Sequence, residues 1–117
     1  MTHFDALETR SADQREADQL AQLQAQIARA ITAPGTSRIT DFMPQSLADM
    51  AKLPILRKSD LSAWQKENPP FGGIDTSNIV HIFQSPGPIY EPGGTSHDWW
   101  RMGRFLHACG IGAADIV

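Results

Sequence analysis

The sequence predicts an α+β or α/β fragment, with N-terminal helices followed by one strand–loop–helix–strand unit. Three observations predict it. Leu20, Leu23, Ile27 and Ile31 recur at helical spacing. The apolar run "NIVHIF" at 78–83 stands before a Pro/Gly-rich loop, "SPGPIYEPGGT" at 85–95. After that loop a helix-like run, "SHDWWRMGRFLHACG", leads into the β-branched close "IGAADIV".

The first helix is expected within "SADQREADQLAQLQAQIARAITAPG". Ser11 and Gln14 match a capping box. Alanine, glutamine and glutamate are good helix formers, and Pro34 and Gly35 end the run. Its apolar stripe is one residue wide and needs a partner surface. A second, short helix is expected in "SLADMAKLP", capped by Ser46 and Asp49 and stopped by Pro54. A third follows Ser59 in "DLSAWQKEN", with Leu61 and Trp64 on a shared face. Two prolines and two glycines make "NPPFGG" at 68–73 a loop. "NIVHIF" is apolar on both faces, as in a strand inside a covered sheet. The last helix is expected from Ser96, with Trp99, Met102, Gly103 and Leu106 on one face and Gly110 as its stop. "IGAADIV" at 111–117 then reads as a second strand, completing a βαβ unit of a parallel sheet. Two strands do not make a stable sheet, so the chain reads as a piece of a longer protein. The division expected is a helical region at 1–74 and the start of an α/β nucleotide-binding domain at 75–117.

At 117 residues the chain is long enough for one small domain with a modest core. Its net charge of −3 leaves no basic footprint for nucleic acid and no polybasic membrane patch. No apolar run approaches membrane-spanning length. Acidic Asp5 and the lack of a long apolar region argue against a signal peptide in "MTHFDALETRS". One cysteine, Cys109, allows no internal disulfide, and a cytoplasmic setting fits best. Cys109 is expected to be a small core residue. Trp99, Trp100 and Phe105 are expected to pack in the core or against a partner. "RKSD" at 57–60 reads as a salt-bridged, solvated turn. The histidines lack metal-ligand spacing, so no metal site is expected, and no general base or nucleophile stands out. His97 reads as a solvated side chain.

The loop at 85–95 holds the functional question. A strand, a glycine-rich turn and a helix can cradle a phosphate. A Walker A loop is excluded, because Gly87 and Gly93 are one residue too far apart and no lysine follows. Pro86, Pro88 and Pro92 have no N–H to offer an anion. Gly93, Gly94, Thr95 and Ser96 read as a cap on the following helix.

Several stretches, in order, resemble the phenylacetate–coenzyme A ligase branch of the adenylate-forming enzymes. "HFDALETRS" at 3–11 is similar to the family's opening, and "LPILRKSDL" at 53–61 resembles its L-P-x-x-x-K-x-D-L segment. "FGG" follows at 71–73, and "WWRMGRFLHACGIGAADIV" resembles its helix followed by G-x-x-x-G-D-x-V. "SPGPIYEP" aligns with the nucleotide loop S-S-G-T-T-G-x-P, matching at Ser85, Gly87 and Pro92. Pro88 and Ile89 replace the two threonines, Tyr90 the second glycine, and Glu91 stands where lysine is common. A glutamate facing a phosphate is repelled by about 4 kcal/mol at ~4 Å with an effective dielectric of ~20, unless it points away or binds Mg²⁺.

The resemblance implies an N-terminal fragment of a ligase that uses ATP, Mg²⁺ and coenzyme A. The complete enzyme would convert an aryl or acyl carboxylate to its adenylate and then to a thioester. Only Ser85 and Gly87 carry over as nucleotide contacts, with no catalytic residue in this stretch, so the isolated chain is expected to be inactive and to bind none of these tightly. The expected partner is a second copy of the chain or the missing remainder of the enzyme. The rival reading is a small helical self-association module without catalysis.

Overall fold

A computed structural model describes residues 2–37 and 40–116. Helix α1, Ala12–Ala30, begins on the expected capping box. The Gln14 N–H donates to Ser11 Oγ at 3.2 Å, and the Ser11 N–H donates back to Gln14 Oε1 at 3.2 Å. Ile27 is buried, while Leu20, Leu23 and Ile31 on the same stripe are half-buried. The helix packs against a 3₁₀ turn at Leu47–Lys52. Gln24 Nε2 donates to the carbonyl of fully buried Pro44 at 2.8 Å, tying the intervening segment down. Ile27→Ala should therefore cost about 2 kcal/mol or more. Gln22→Ala, on the exposed face, should stay within ~0.5 kcal/mol. Thermal melts of the two variants check this.

The segment at 47–52 is 3₁₀ rather than α-helical. Six residues before Pro54 leave little room for more than one tight turn. Asp49 organises its start by accepting the Gln45 and Ser46 N–H groups at 2.9 and 3.0 Å. The Lys52 ammonium, 2.6 Å from Asp49, and these backbone donors lower the carboxyl from its usual 3.8 to about 2. A depressed carboxyl stabilises the fold above its unfolded value, and that support is lost as pH falls through the folded one. The turn should thus loosen between pH 3.8 and about 2. Amide shifts of Gln45 and Ser46 that titrate in that window would bear this out.

After α1, the chain turns at Ala33–Ser37 and meets the loop following α2, Lys58–Glu67. The Gly35 N–H donates to the Gly73 carbonyl at 2.7 Å. Two backbones approach here with no side chain between them. Gly72 and Gly73 have φ of 76° and 75°, which favours glycine. Ala33 and Phe71 are buried beside this contact. The expected loop at 68–73 is thus a folded joint.

The C-terminal part differs from the expected βαβ unit, although the α+β class stands. Strand β1, Ile79–Ser85, turns into a second strand, β2, Ile89–Gly94, and the two pair antiparallel from Ser85↔Ile89 to Ile79↔Gly94. The supposed loop is largely β2. Its prolines are compatible with a strand for local reasons. Pro86 and Pro88 flank the turn at Gly87, whose φ of 129° favours glycine. Pro92 lies in a strand that β1 borders on one side only, where a missing N–H is tolerated. Nor is β1 covered. Val80, Ile82 and Phe83 are 54%, 62% and 45% exposed, so its apolar residues face outward in this chain.

The last helix, α3, spans Gly103–Ala108 instead of starting at Ser96. Asp98 and Arg101 have φ of 50° and 57°, which breaks helical continuity before Gly103. Asp98 Oδ1 then accepts the Met102 and Gly103 N–H groups at 2.8 and 2.9 Å. Trp99 therefore lies outside the helix, and Trp99, Trp100 and Phe105 are 45%, 52% and 59% exposed. Gly110 stops the helix as expected, with φ 83°. Cys109 is exposed, not a core residue, because it ends a short helix on its open side. Residues 111–116 form no strand. Asp115 instead closes a turn by accepting the Gly112 N–H at 2.6 Å. Val117, the end of that expected strand, lies outside the described residues.

The N-terminal segment, with a 3₁₀ turn at Ala6–Thr9, straps α3. Arg104 pairs with Asp5 at 3.1 Å and Glu8 at 3.0 Å, and His107 Nε2 bonds the Thr2 carbonyl at 2.8 Å. A Cβ on Gly103 would come within 2.8 Å of the Phe4 ring. The core remains small: Ile27, Ala33, Phe71 and Ile89 are its buried hydrophobic residues among those described. The radius of gyration is 16.9 Å, against ~13 Å for a closed domain of this length.

Candidate functional site

The turn between β1 and β2 is held by one face of α2. Lys58, Ser62 and Gln65 are spaced four and three apart, so they share that face. Lys58 Nζ pairs with Glu91 at 3.0 Å. Ser62 Oγ donates to the Gly87 carbonyl at 3.1 Å. Gln65 Nε2 donates to the Tyr90 carbonyl at 2.8 Å, and the Tyr90 N–H donates to Gln65 Oε1 at 2.9 Å. The buried amide of Gln65 thus copies the donor and acceptor of a neighbouring strand and closes the outer edge of β2.

Ser85 and Gly87 both sit at this tip. Ser85 ends β1, and its hydroxyl donates to the Ile89 carbonyl at 3.4 Å. Gly87 is exposed, and open space surrounds its α-carbon. Its carbonyl is engaged by Ser62. Glu91 is drawn to Lys58, which opens α2 and does not sit in the salt-bridged turn expected of "RKSD".

Beneath the tip lies an apolar groove of about 370 Å³, lined by Pro69, Pro70, Phe71, Ile82, Pro88 and Tyr90 with Gln65 at its side. Among the described residues, no group of three or more His, Cys, Asp or Glu could hold a metal ion. No helix there is long and apolar enough to cross a membrane. Sequence reading missed Ser62 and Gln65. Their signal was the polar spacing 58–62–65 on α2.

No protein-family model matches the chain, and no curated protein gives a significant match. Solved structures do. 2-Hydroxyisobutyryl-CoA ligase in the postadenylation state with R3-HIB-AMP matches 92% of this chain at 29% identity, with a TM-score of 0.73. The same ligase with 2-HIB-AMP matches 71% at 30% identity and TM-score 0.60. Its open conformation with 2-HIB-AMP and CoA matches 71% at 31% identity, also with TM-score 0.60. The chain spans 26%, 20% and 20% of those ligases. In sequence and fold alike, the chain is similar to part of a CoA ligase solved in a postadenylation state.

Proposed function

We propose that this chain is the N-terminal part of a phenylacetate–CoA ligase-like enzyme, which joins an aryl or acyl carboxylate to coenzyme A at the expense of ATP. The observation that carries the reading is the match over 92% of the chain at 29% identity to a CoA ligase. The motifs at 3–11, 53–61, 71–73 and 99–117 support the aryl branch. A lone cysteine fits a cytoplasmic enzyme.

Within such an enzyme, Ser85 and Gly87 would be this segment's nucleotide-facing positions. The residues present at the turn do not fit a bound triphosphate by themselves. Prolines flank Gly87, no threonine hydroxyl is at hand, and Glu91 is the one ionised side chain on β2. ATP, Mg²⁺ and coenzyme A therefore belong to the whole enzyme, and the contribution of this segment is structural support of the turn by Lys58, Ser62 and Gln65.

The test is to express the complete reading frame that contains these residues and to measure AMP release with ATP and coenzyme A. Phenylacetate should support release better than 2-hydroxyisobutyrate. A preference for 2-hydroxyisobutyrate would overturn the aryl assignment, and no release with any carboxylate would overturn the ligase reading.

A further inference from the structure

We propose that residues 2–9 are a releasable clasp on α3, so that strap and helix open together while the rest of the chain stays folded. α3 has little hold of its own. It is six residues long, too short to persist alone, and none of them is buried. Its two polar side chains are both committed to the strap. Arg104 Nη2 donates to the two Asp5 carboxylate oxygens at 3.1 and 3.2 Å, and Arg104 Nε lies 3.0 Å from Glu8 Oε1. His107 Nε2 bonds the Thr2 carbonyl at 2.8 Å, and its ring lies 5.7 Å from the Phe4 ring. The strap's own shape depends on the same carboxylates. Glu8 Oε2 accepts the Phe4 N–H at 3.1 Å, and Asp5 Oδ1 accepts the Leu7 N–H at 2.9 Å. Asp5 and Glu8 thus fold the strap and hold the helix at once, which couples the two segments.

The clasp is held by charge more than by burial. The Arg104 and Asp5 side chains are 50% and 35% exposed, Leu7 is exposed, and Phe4 is half-buried. Exposed ion pairs hold weakly and are screened by salt. A segment with few buried apolar contacts and exposed hydrogen bonds opens at low free energy. The far end of the strap stays anchored. Arg10 Nε donates to the Leu7 carbonyl at 3.0 Å, and the Arg10 guanidinium pairs with Asp18 on α1. α1 is fixed in turn by buried Ile27 and the Gly35–Gly73 joint, which share no residue with the clasp. A change at Asp5 is thereby felt at Arg104, 99 positions later. The inference rests on contacts within this chain and not on the ligase reading.

Amide hydrogen exchange of the full 117-residue chain tests the proposal. The Leu106 and Cys109 amides report on α3, because they donate to Met102 and Phe105. The Ile31 and Asn68 amides, bonded to Ile27 and Trp64, report on α1 and α2. The double variant Asp5→Asn, Glu8→Gln removes the strap's two charges but keeps an acceptor for the Leu7 and Phe4 N–H groups. Neither substitution lies in α3, so intrinsic helix preference is untouched. Exchange at Leu106 and Cys109 should rise about threefold or more, with Ile31 and Asn68 unchanged. Raising NaCl from about 0.05 to ~1 M should do the same to the wild-type chain and add little in Arg104→Gln, where the cation is already gone. α3 amides unmoved by the strap variant would overturn the proposal, because the helix would then stand without its clasp. An equal rise at Ile31 and Asn68 would also overturn it, because strap and helix would then open only with the whole fold. A salt response as large in Arg104→Gln as in the wild type would do so too, by placing the screened contact elsewhere.

Discussion

Gln65→Ala should destabilise the chain by about 2–4 kcal/mol, a large share of what a small domain possesses. Gln65 is 8% exposed, and its amide makes two hydrogen bonds to Tyr90. Truncation strands the Tyr90 N–H and C=O beside the buried Ile89, each at a cost of about 1–3 kcal/mol, offset where water reaches them. Gln65→Glu is the informative companion. It keeps an acceptor for the Tyr90 N–H but sets a carboxylate against the Tyr90 carbonyl, so it should also destabilise the hairpin. Denaturant melts would show both losses. A Gln65→Ala chain as stable as the parent would mean that α2 and the hairpin are not coupled through this amide.

Gly35→Ala should be at least as damaging, at about 3 kcal/mol or more, because it overpacks a backbone contact. A Cβ on Gly35 would overlap the Gly72 carbonyl and come within 2.6 Å of the Gly73 carbonyl carbon. A flexible side chain could move aside, but these are backbone atoms fixed by the Gly35–Gly73 hydrogen bond. The joint would open, and Ala33 and Phe71 would lose cover. Gly112→Ala is the natural control, since its nearest neighbour is a carboxylate oxygen at 3.8 Å. Equal melting temperatures for the two variants would contradict the close approach.

Local rules made the helices legible. Ser11 and Gln14 announced the start of α1, and the stripe through Ile27 named the residue that is buried. Those signals act over one or two turns and depend little on the rest of the molecule. The hairpin was hidden for the opposite reason. Its prolines and glycines read as loop residues, yet each occupies a place where the hairpin accepts it, and only the pairing partner reveals that. Ile89, a buried strand residue, looked like a substituted threonine in an alignment, whereas packing against α2 accounts for it. The break before α3 lay in the left-handed backbone of Asp98 and Arg101, which residue type alone does not specify.

The surroundings of Ser85 and Gly87 were not legible in the sequence. Lys58, Ser62 and Gln65 come from a helix more than twenty positions earlier, and no short-range pattern links them to the turn. The spacing 58–62–65 marks a polar face and leaves its target open. With the contacts known, the substitution of Glu91 becomes intelligible. It serves an ion pair with Lys58, and the Gly87 carbonyl serves a bond with Ser62.

The most direct measurement is ATP–pyrophosphate exchange on the isolated 117-residue chain with phenylacetate and Mg²⁺. On the proposed reading, a segment that only supports a nucleotide-facing turn should give no exchange above buffer. Exchange above that control, abolished by Ser85→Ala, would contradict this, because it would show that the turn handles the nucleotide without the rest of a ligase.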